Sequence, residues 1–239
     1  MALLRTFAWA VGTVLTVSAA AHAQDSTEAR FQERRLALVD LLRRHGIRDS
    51  ATLGAIRQVP RHEFVPAGLR EGAYEDRPLP IGHRATISQP YIVAIMTETI
   101  RPHPGMRVLE VGTGSGYQAA VLRAIGCRVW TIEIVLELAD SARARLQQLG
   151  FGDIEVRHGD GYLGWPDAAP FDAILVTAAA DSIPPALLEQ LAPGGRLVMP
   201  VGDPGGIQFL ELVEKSPAGR LSRRRLEPVQ FVPLQRAEP

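Results

Sequence analysis

Cysteine occurs once in these 239 residues, as Cys127, so no disulfide can form within the chain and no thiolate metal site can be built. The six histidines are scattered, without the helical pair that zinc ligation uses, and no metal is expected. Net charge is lacking as well. Twenty-six basic and 26 acidic residues cancel, which leaves no global attraction for nucleic acid or for an anionic membrane surface. A Gly-x-Ser-x-Gly elbow is missing, because Thr113 and Tyr117 stand where glycines would have to flank Ser115. That excludes a serine hydrolase of the usual elbow type. Long apolar runs are absent too: the uncharged stretch from Phe7 to Ala21 is short and weakly hydrophobic for a membrane span.

With Arg5 before it and Ala21-His-Ala23 ahead of Gln24, that stretch has the form of a secretory signal ending in a small-x-small cleavage site. Residues 1–23 are therefore expected to be a signal peptide, with an uncleaved anchor as the alternative. The mature protein is expected to be exported to the periplasm, with no stable membrane span after cleavage. Residues 24–239, in a chain of 46% hydrophobic content, suit one α/β domain. Within it, residues 24–84 read as a helical and loop extension and 85–239 as the core.

The most informative stretch is Arg107 to Leu122. Its first half, Arg-Val-Leu-Glu-Val, is short and aliphatic like a buried strand, and its second half has helical composition. Gly112, Gly114 and Gly116 thus fall at a strand-to-helix turn, where backbone can approach a ligand and helix amides point at it. A dinucleotide fingerprint would need its third glycine where Tyr117 stands, and a phosphate-binding lysine is missing from the loop. Glu110 closes the strand, and a carboxylate there suits an ammonium or sulfonium better than a phosphate. The pattern Glu-x-Gly-x-Gly-x-Gly after a strand resembles the cofactor loop of class I S-adenosylmethionine-dependent methyltransferases. A second strand, Arg128 to Glu133, ends in an acid 23 positions beyond Glu110, the distance at which a βαβ unit binds ribose hydroxyls. The other reading of Glu133 is the N-terminal cap side of the next helix. Asp160, between Gly159 and Gly161, is placed to meet an adenine amino group or to make an Asx-turn.

Helices are expected over 26–46, over 50–59 with Ser50 as cap and Pro60 as stop, over 92–100 with Pro90 near its first turn, over 136–149 and over 184–191. Residues 60–82 are too rich in proline and glycine for long regular elements. Further strands are expected over 154–157, 171–177, 196–201, 209–214 and 229–234, with the charged 214–225 segment as a solvated turn. Alternating strands and helices give an α/β fold: a doubly wound, mostly parallel seven-stranded sheet, Rossmann-like, with an edge hairpin and added N-terminal helices. Its ligand crevice lies at the carboxyl ends of the strands, where Glu110, Gly112, Glu133, Asp160 and Thr177 all fall. Ser88 sits at or just before a helix N-terminus, where a plain capping role is the alternative to a chemical one.

Taken together, Ala85-Thr-Ile-Ser-Gln-Pro-Tyr91, the Glu110 to Tyr117 loop, Gly159-Asp-Gly161, Thr177-Ala-Ala-Ala180 and Phe231-Val-Pro-Leu234 resemble the protein-L-isoaspartate O-methyltransferase family. Pro60-Arg-x-x-Phe-Val-Pro66 and Tyr74-Glu-Asp-x-Pro-Leu-Pro-Ile-Gly82 look like the same family. The resemblance spans about Val59 to Leu234. It implies S-adenosyl-L-methionine as cofactor, methyl transfer to the α-carboxylate of L-isoaspartyl residues, and damaged proteins and peptides as partners. It also implies Ser88 as the active-site serine, with Ala85, Thr86, Ile87 and Ser88 contacting cofactor and substrate. Glu110, Gly112, Thr113, Gly114, Ser115, Gly116, Glu133, Asp160 and Gly161 complete the expected cofactor site. The missing basic dyad agrees with this chemistry, since a carboxylate is already ionised at neutral pH and needs positioning rather than a base. The proline-aromatic pair of DNA amino-group methyltransferases is absent after the fourth strand. A small-molecule O- or N-methyltransferase, and an exported non-catalytic binding protein for the same cofactor, remain the alternatives; the sequence does not set the oligomeric state.

Overall fold

Val108, Leu109, Val111, Val129 and Ile132 are all buried, as are Ala173 to Val176. Neighbouring side chains on a strand point to opposite faces, so such burial requires helices or loops on both sides of the sheet. The structure, a computed structural model, describes residues 9–203 and 206–237, with side chains from Thr27 onward.

In chain order, α1 (Trp9–Arg44) and α2 (Ser50–Gln58) precede a short antiparallel hairpin, β1 (Leu79–Gly82) and β2 (Ala85–Ile87), and α3 (Pro90–Thr99). The core then alternates: β3 (Arg107–Val111), α4 (Tyr117–Ile125), β4 (Arg128–Glu133), α5 (Leu136–Gln148), β5 (Glu155–His158), β6 (Phe171–Val176), α6 (Pro185–Gln190) and β7 (Leu191–Gly202). β8 (Gln208–Lys215) and β9 (Leu221–Val229) finish the sheet, whose order is β5-β4-β3-β6-β7-β8-β9. The first five of these strands run parallel and the last two join antiparallel. This is the expected doubly wound architecture with its edge hairpin. The chain reverses its direction of travel between β3 and β6, and a sheet of this kind offers its crevice at that point.

Two apolar layers follow from strand alternation. Val108, Ala173, Leu175 and Val198 pack with α1 to α4 on one side, and Leu109, Val111, Ile132 and Ile174 pack with Leu187 of α6 on the other. Arg107 closes the lower end of β3, its amide donating to Asp172 at 2.8 Å and its guanidinium lying 4.5 Å from the Trp130 ring centre.

Several boundaries differ from the sequence expectation. Asp49, not Ser50, caps α2, because its carboxylate accepts from the Thr52 amide at 2.7 Å. The proline-rich 60–82 segment holds two 3₁₀ turns and all of β1. The 84/85 division between extension and core therefore falls between the two strands of one hairpin. His83 and Arg84 form its turn with φ of 49° and 59°, the left-handed geometry a two-residue hairpin needs. The seventh strand is Leu221–Val229 rather than 229–234, so most of the supposed solvated turn is strand, with Arg223, Arg224 and Arg225 exposed on the sheet's outer edge. Of the expected signal peptide, residues 1–8 lie outside the described residues, and α1 runs as one helix from Trp9 past the expected start at 26. No helix among the described residues is long and apolar enough to cross a membrane.

Candidate active site

Two cavities open side by side above the carboxyl ends of β3 and β6. The first, about 410 Å³, is lined by Ala85, Thr86, Gly112, Gly114, Glu133, Gly161 and Thr177, together with His83 and Arg84 of the hairpin turn and Val232 to Gln235. That volume falls in the range of small-molecule sites.

Its floor is backbone. Gly112 has φ of 98°, and a Cβ there would lie 2.3 Å from Thr177 Oγ1, so both conformation and space demand glycine. Thr177 Oγ1 in turn donates to the Gly112 carbonyl at 2.7 Å, binding the tip of β6 to the loop after β3. A Cβ on Gly161 would come 2.3 Å from Val111 Cγ1, which keeps that wall bare as well.

Glu133 ends β4 at the cavity wall, only 6% exposed. Its Oε2 accepts from the Gly114 amide at 2.8 Å and its Oε1 from the Val135 amide at 3.1 Å. A carboxylate has about four acceptor sites, so two remain for hydroxyl donors in the cavity. The helix-start role and the ligand role are therefore compatible in one side chain.

Glu110 departs from its expected role. It is 0% exposed, does not line the cavity, and accepts from Thr131 Oγ1 at 2.5 Å; Thr131 meets Thr113 Oγ1 at 2.7 Å. Burial, reinforced by the nearby Glu133, pushes its pKa up to about 8 against the Thr131 bond. At neutral pH it is mostly a neutral acid under the glycine loop, not the carboxylate facing a sulfonium that the sequence suggested. Asp160 makes the Asx-turn, accepting from the Tyr162 amide at 2.8 Å, and its other oxygen meets the Ala237 amide at 3.4 Å. Gly161, rather than Asp160, lines the cavity. Ser115 accepts from the Tyr117 amide at 3.3 Å to start α4, and Gly116 packs against Leu146.

The second cavity, about 480 Å³, is lined by Ser88, Gln89, Ile92 and Pro228 to Phe231, and shares Thr86, Thr177 and Val232 with the first. Ser88 does not cap α3. The N-cap residue is Gln89, and Asp76 does the capping, accepting from the Tyr91 amide at 2.8 Å and from Gln89 Nε2 at 3.0 Å. The Ser88 hydroxyl has no partner among the described residues. Ile87 turns into the core at 4% exposure. A C-terminal strap walls both cavities: Ala179 pairs with Val232 and Leu234 at 2.9 and 2.7 Å, and the buried Gln208 side chain holds Phe231 through its amide at 2.7 Å and its carbonyl at 3.2 Å.

Two confluent cavities, one floored by glycine backbone with a fixed carboxylate and one holding an unengaged hydroxyl, suit a donor and an acceptor that react across a common edge. The sequence pattern of the protein-L-isoaspartate(D-aspartate) O-methyltransferase family matches residues 33–239. The chain belongs to this family. A protein-L-isoaspartate O-methyltransferase of Opitutus terrae is 53% identical over 226 residues, 95% of this chain and 96% of that one. A solved protein-L-isoaspartate O-methyltransferase superposes with a TM-score of 0.76 at 29% identity, covering 83% of this chain and 65% of the other. A Plasmodium falciparum structure described as an enzyme of the same kind, in complex with S-adenosyl-L-homocysteine, gives 0.73 at 27% identity over 84% of this chain and 98% of that one. The fold is that of a class I methyltransferase, and the cofactor of the family is S-adenosyl-L-methionine.

For this member of the family, the structure gathers Ala85, Thr86, Gly112, Gly114, Glu133 and Gly161 around the first cavity and sets Ser88 in the second. Ile87, Glu110, Thr113, Ser115, Gly116 and Asp160 line neither. Sequence reasoning did not single out Ile134, Val135 and Leu138, which border the first cavity just past Glu133. Their position next to a strand-end acid was the available signal. His83 and Arg84 carried none, because nothing in their composition marks a turn.

Proposed function

We propose that this protein transfers the methyl group of S-adenosyl-L-methionine to the α-carboxylate of L-isoaspartyl residues in damaged proteins and peptides, the first step of their repair. The observation that carries the reading is the Ser88 hydroxyl, unengaged among the described residues, in a cavity that meets the glycine-floored cavity at Thr86, Thr177 and Val232. The bound cofactor supplies an electrophilic sulfonium methyl. Everything else is positioning by the chain. In this reading Glu133, at the wall of the first cavity, accepts from ribose hydroxyls, the bare backbone at Gly112 and Gly114 receives the amino-acid portion, and Gly161 leaves room beside the base. Ser88 donates to the substrate carboxylate and aims it across the common edge. An ionised carboxylate needs no proton removed, and effective alignment alone supplies a large part of such a barrier.

The decisive experiment is a methyl-transfer assay on an isoaspartyl peptide beside its aspartyl twin. Transfer to the first alone supports the reading. Transfer to neither, with binding of S-adenosylhomocysteine intact, overturns it in favour of a small-molecule acceptor or a binding protein.

The family match begins at residue 33, which leaves the Arg5, Phe7 to Ala21 and Ala21-His-Ala23 pattern outside it. We read that leader as an export signal and the mature enzyme as periplasmic. Cell fractionation with N-terminal sequencing tests this, and an intact Met1 in the cytosolic fraction would refute it.

A further inference from the structure

Arg61 stands between the two halves of the site and belongs to neither cavity. Its side chain is 0% exposed. Nε donates to the Ala73 carbonyl and Nη2 to the Ser88 carbonyl, both at 2.8 Å. The guanidinium lies 4.9 Å from the ring centre of Tyr117, the first residue of α4 after the glycine loop. Arg61 makes no ion pair among the described residues, and its Nη1 and the Tyr117 hydroxyl are both buried without partners. Burial lowers its pKa only to about 10, so it is a cation at neutral pH.

A buried, unpaired guanidinium is a costly way to fill space. Two carbonyls, the face and hydroxyl of Tyr117 and the more distant Tyr74 and Asp76 offset that cost only in part, and an apolar side chain of similar length would pack there with less penalty. What an apolar residue could not do is fix the Ser88 carbonyl. Because the Ser88 hydroxyl bonds to nothing among the described residues and Asp76 takes over the capping of α3, no hydrogen bond of its own orients the side chain, and the position of the Ser88 backbone sets where the hydroxyl goes. The Arg61 bond pins that backbone from one side, while the Tyr117 contact refers it to the loop floor of the neighbouring cavity.

We propose that Arg61 is a positioning residue for methyl transfer: it sets the Ser88 hydroxyl in the acceptor cavity and registers it against the glycine loop that carries the donor. This rests on the role given to Ser88 above. It concerns alignment, so its signature is in kcat, with cofactor affinity nearly untouched, and it must vanish when Ser88 has no hydroxyl to align.

The test is a double-mutant cycle on the full chain with Arg61→Met, Arg61→Lys and Ser88→Ala, reading kcat and KM for an isoaspartyl peptide, the Kd of S-adenosylhomocysteine, and the melting temperature. Arg61→Met is expected to lower kcat roughly 10- to 100-fold, the range of a lost bond to a charged donor, with the Kd within about 3-fold. Arg61→Lys, which keeps the charge and one reachable carbonyl, is expected to recover part of that loss. In the Ser88→Ala background the same Arg61 substitution should change kcat by less than about 3-fold. Multiplicative losses, an unchanged kcat in Arg61→Met, or a Ser88→Ala enzyme as fast as the parent would each overturn the proposal. Should Arg61→Met not fold, the Arg61→Lys and Ser88→Ala cycle decides by the same criterion. A parent enzyme that transfers nothing to the isoaspartyl peptide brings down the proposed function, and this inference with it, whereas multiplicative losses in an active parent bring down the inference alone.

Discussion

Glu133 Oε2 and the Gly114 amide are 2.8 Å apart, so one carboxylate holds the glycine loop in shape while facing the cavity that the loop floors. Reversing its charge removes the loop brace and, in the proposed function, the acceptor of the ribose hydroxyls. Glu133→Lys is expected to weaken S-adenosylhomocysteine binding by about 10- to 100-fold, the value of a lost charged hydrogen bond. Calorimetry checks it, and an unchanged Kd would place the nucleoside elsewhere.

Ser88 offers a cleaner separation of stability from chemistry, because its hydroxyl makes no bond among the described residues. Ser88→Ala should leave the melting temperature within about 1 °C, since no intramolecular hydrogen bond is lost. It should lower kcat by about 10- to 100-fold, equivalent to about 1 to 3 kcal/mol of alignment. Equal turnover would remove the serine from the reaction.

Much of this site is legible as local pattern. The aliphatic run before Gly112 and the acid at the end of β4 are set by residues a few positions apart, and the fold places both as read. Long-range relationships are not legible in that way. Asp76 caps a helix whose amide it meets 15 positions later, so Ser88 looked like the cap. The last strand was misplaced because Leu221 to Arg225 is exposed throughout and has no apolar alternation, whereas Phe231 to Leu234 is apolar because it walls a cavity. Glu110 was read as a charge since nothing local reveals that its carboxyl is wholly enclosed.

That enclosure predicts a pH dependence. The folded pKa of Glu110 is about 8, against an ordinary 4.5, so between those values the native state keeps a proton that the unfolded chain has lost. Stability therefore falls as pH rises through this window, by at most about 1.4 kcal/mol per pH unit from this group. Glu110→Gln should flatten that slope and gain on the parent between pH 5.5 and 8. Thermal melts of both proteins across the range check it, and parallel curves would show the acid is ionised in the fold.

At Gly112 two separate penalties coincide, a positive φ of 98° and a contact of 2.3 Å for any added Cβ with Thr177 Oγ1. Gly112→Ala is expected to cost about 2 kcal/mol or more and to abolish cofactor binding. Adding Thr177→Ala removes the colliding oxygen and should restore part of the stability, leaving the backbone strain of about 1 to 2 kcal/mol. Urea unfolding of the single and double variants checks the sign of the coupling.

Gln208 grips Phe231 through both ends of its amide, and the strap beyond it walls both cavities. Gln208→Ala is expected to cost about 1 to 3 kcal/mol of stability and to raise the KM of cofactor and peptide together. A rise in one alone would show that the strap serves a single cavity.

The free margin of β9 has a bearing on the company this enzyme keeps. A bare strand edge is a template onto which other extended chains anneal. Here the margin presents Arg223, Arg224 and Arg225 in succession, and Pro228, which has no amide proton to offer, follows three positions later. Such a rim repels lateral stacking, so the open side of the sheet is a poor template for the extended chains of other molecules.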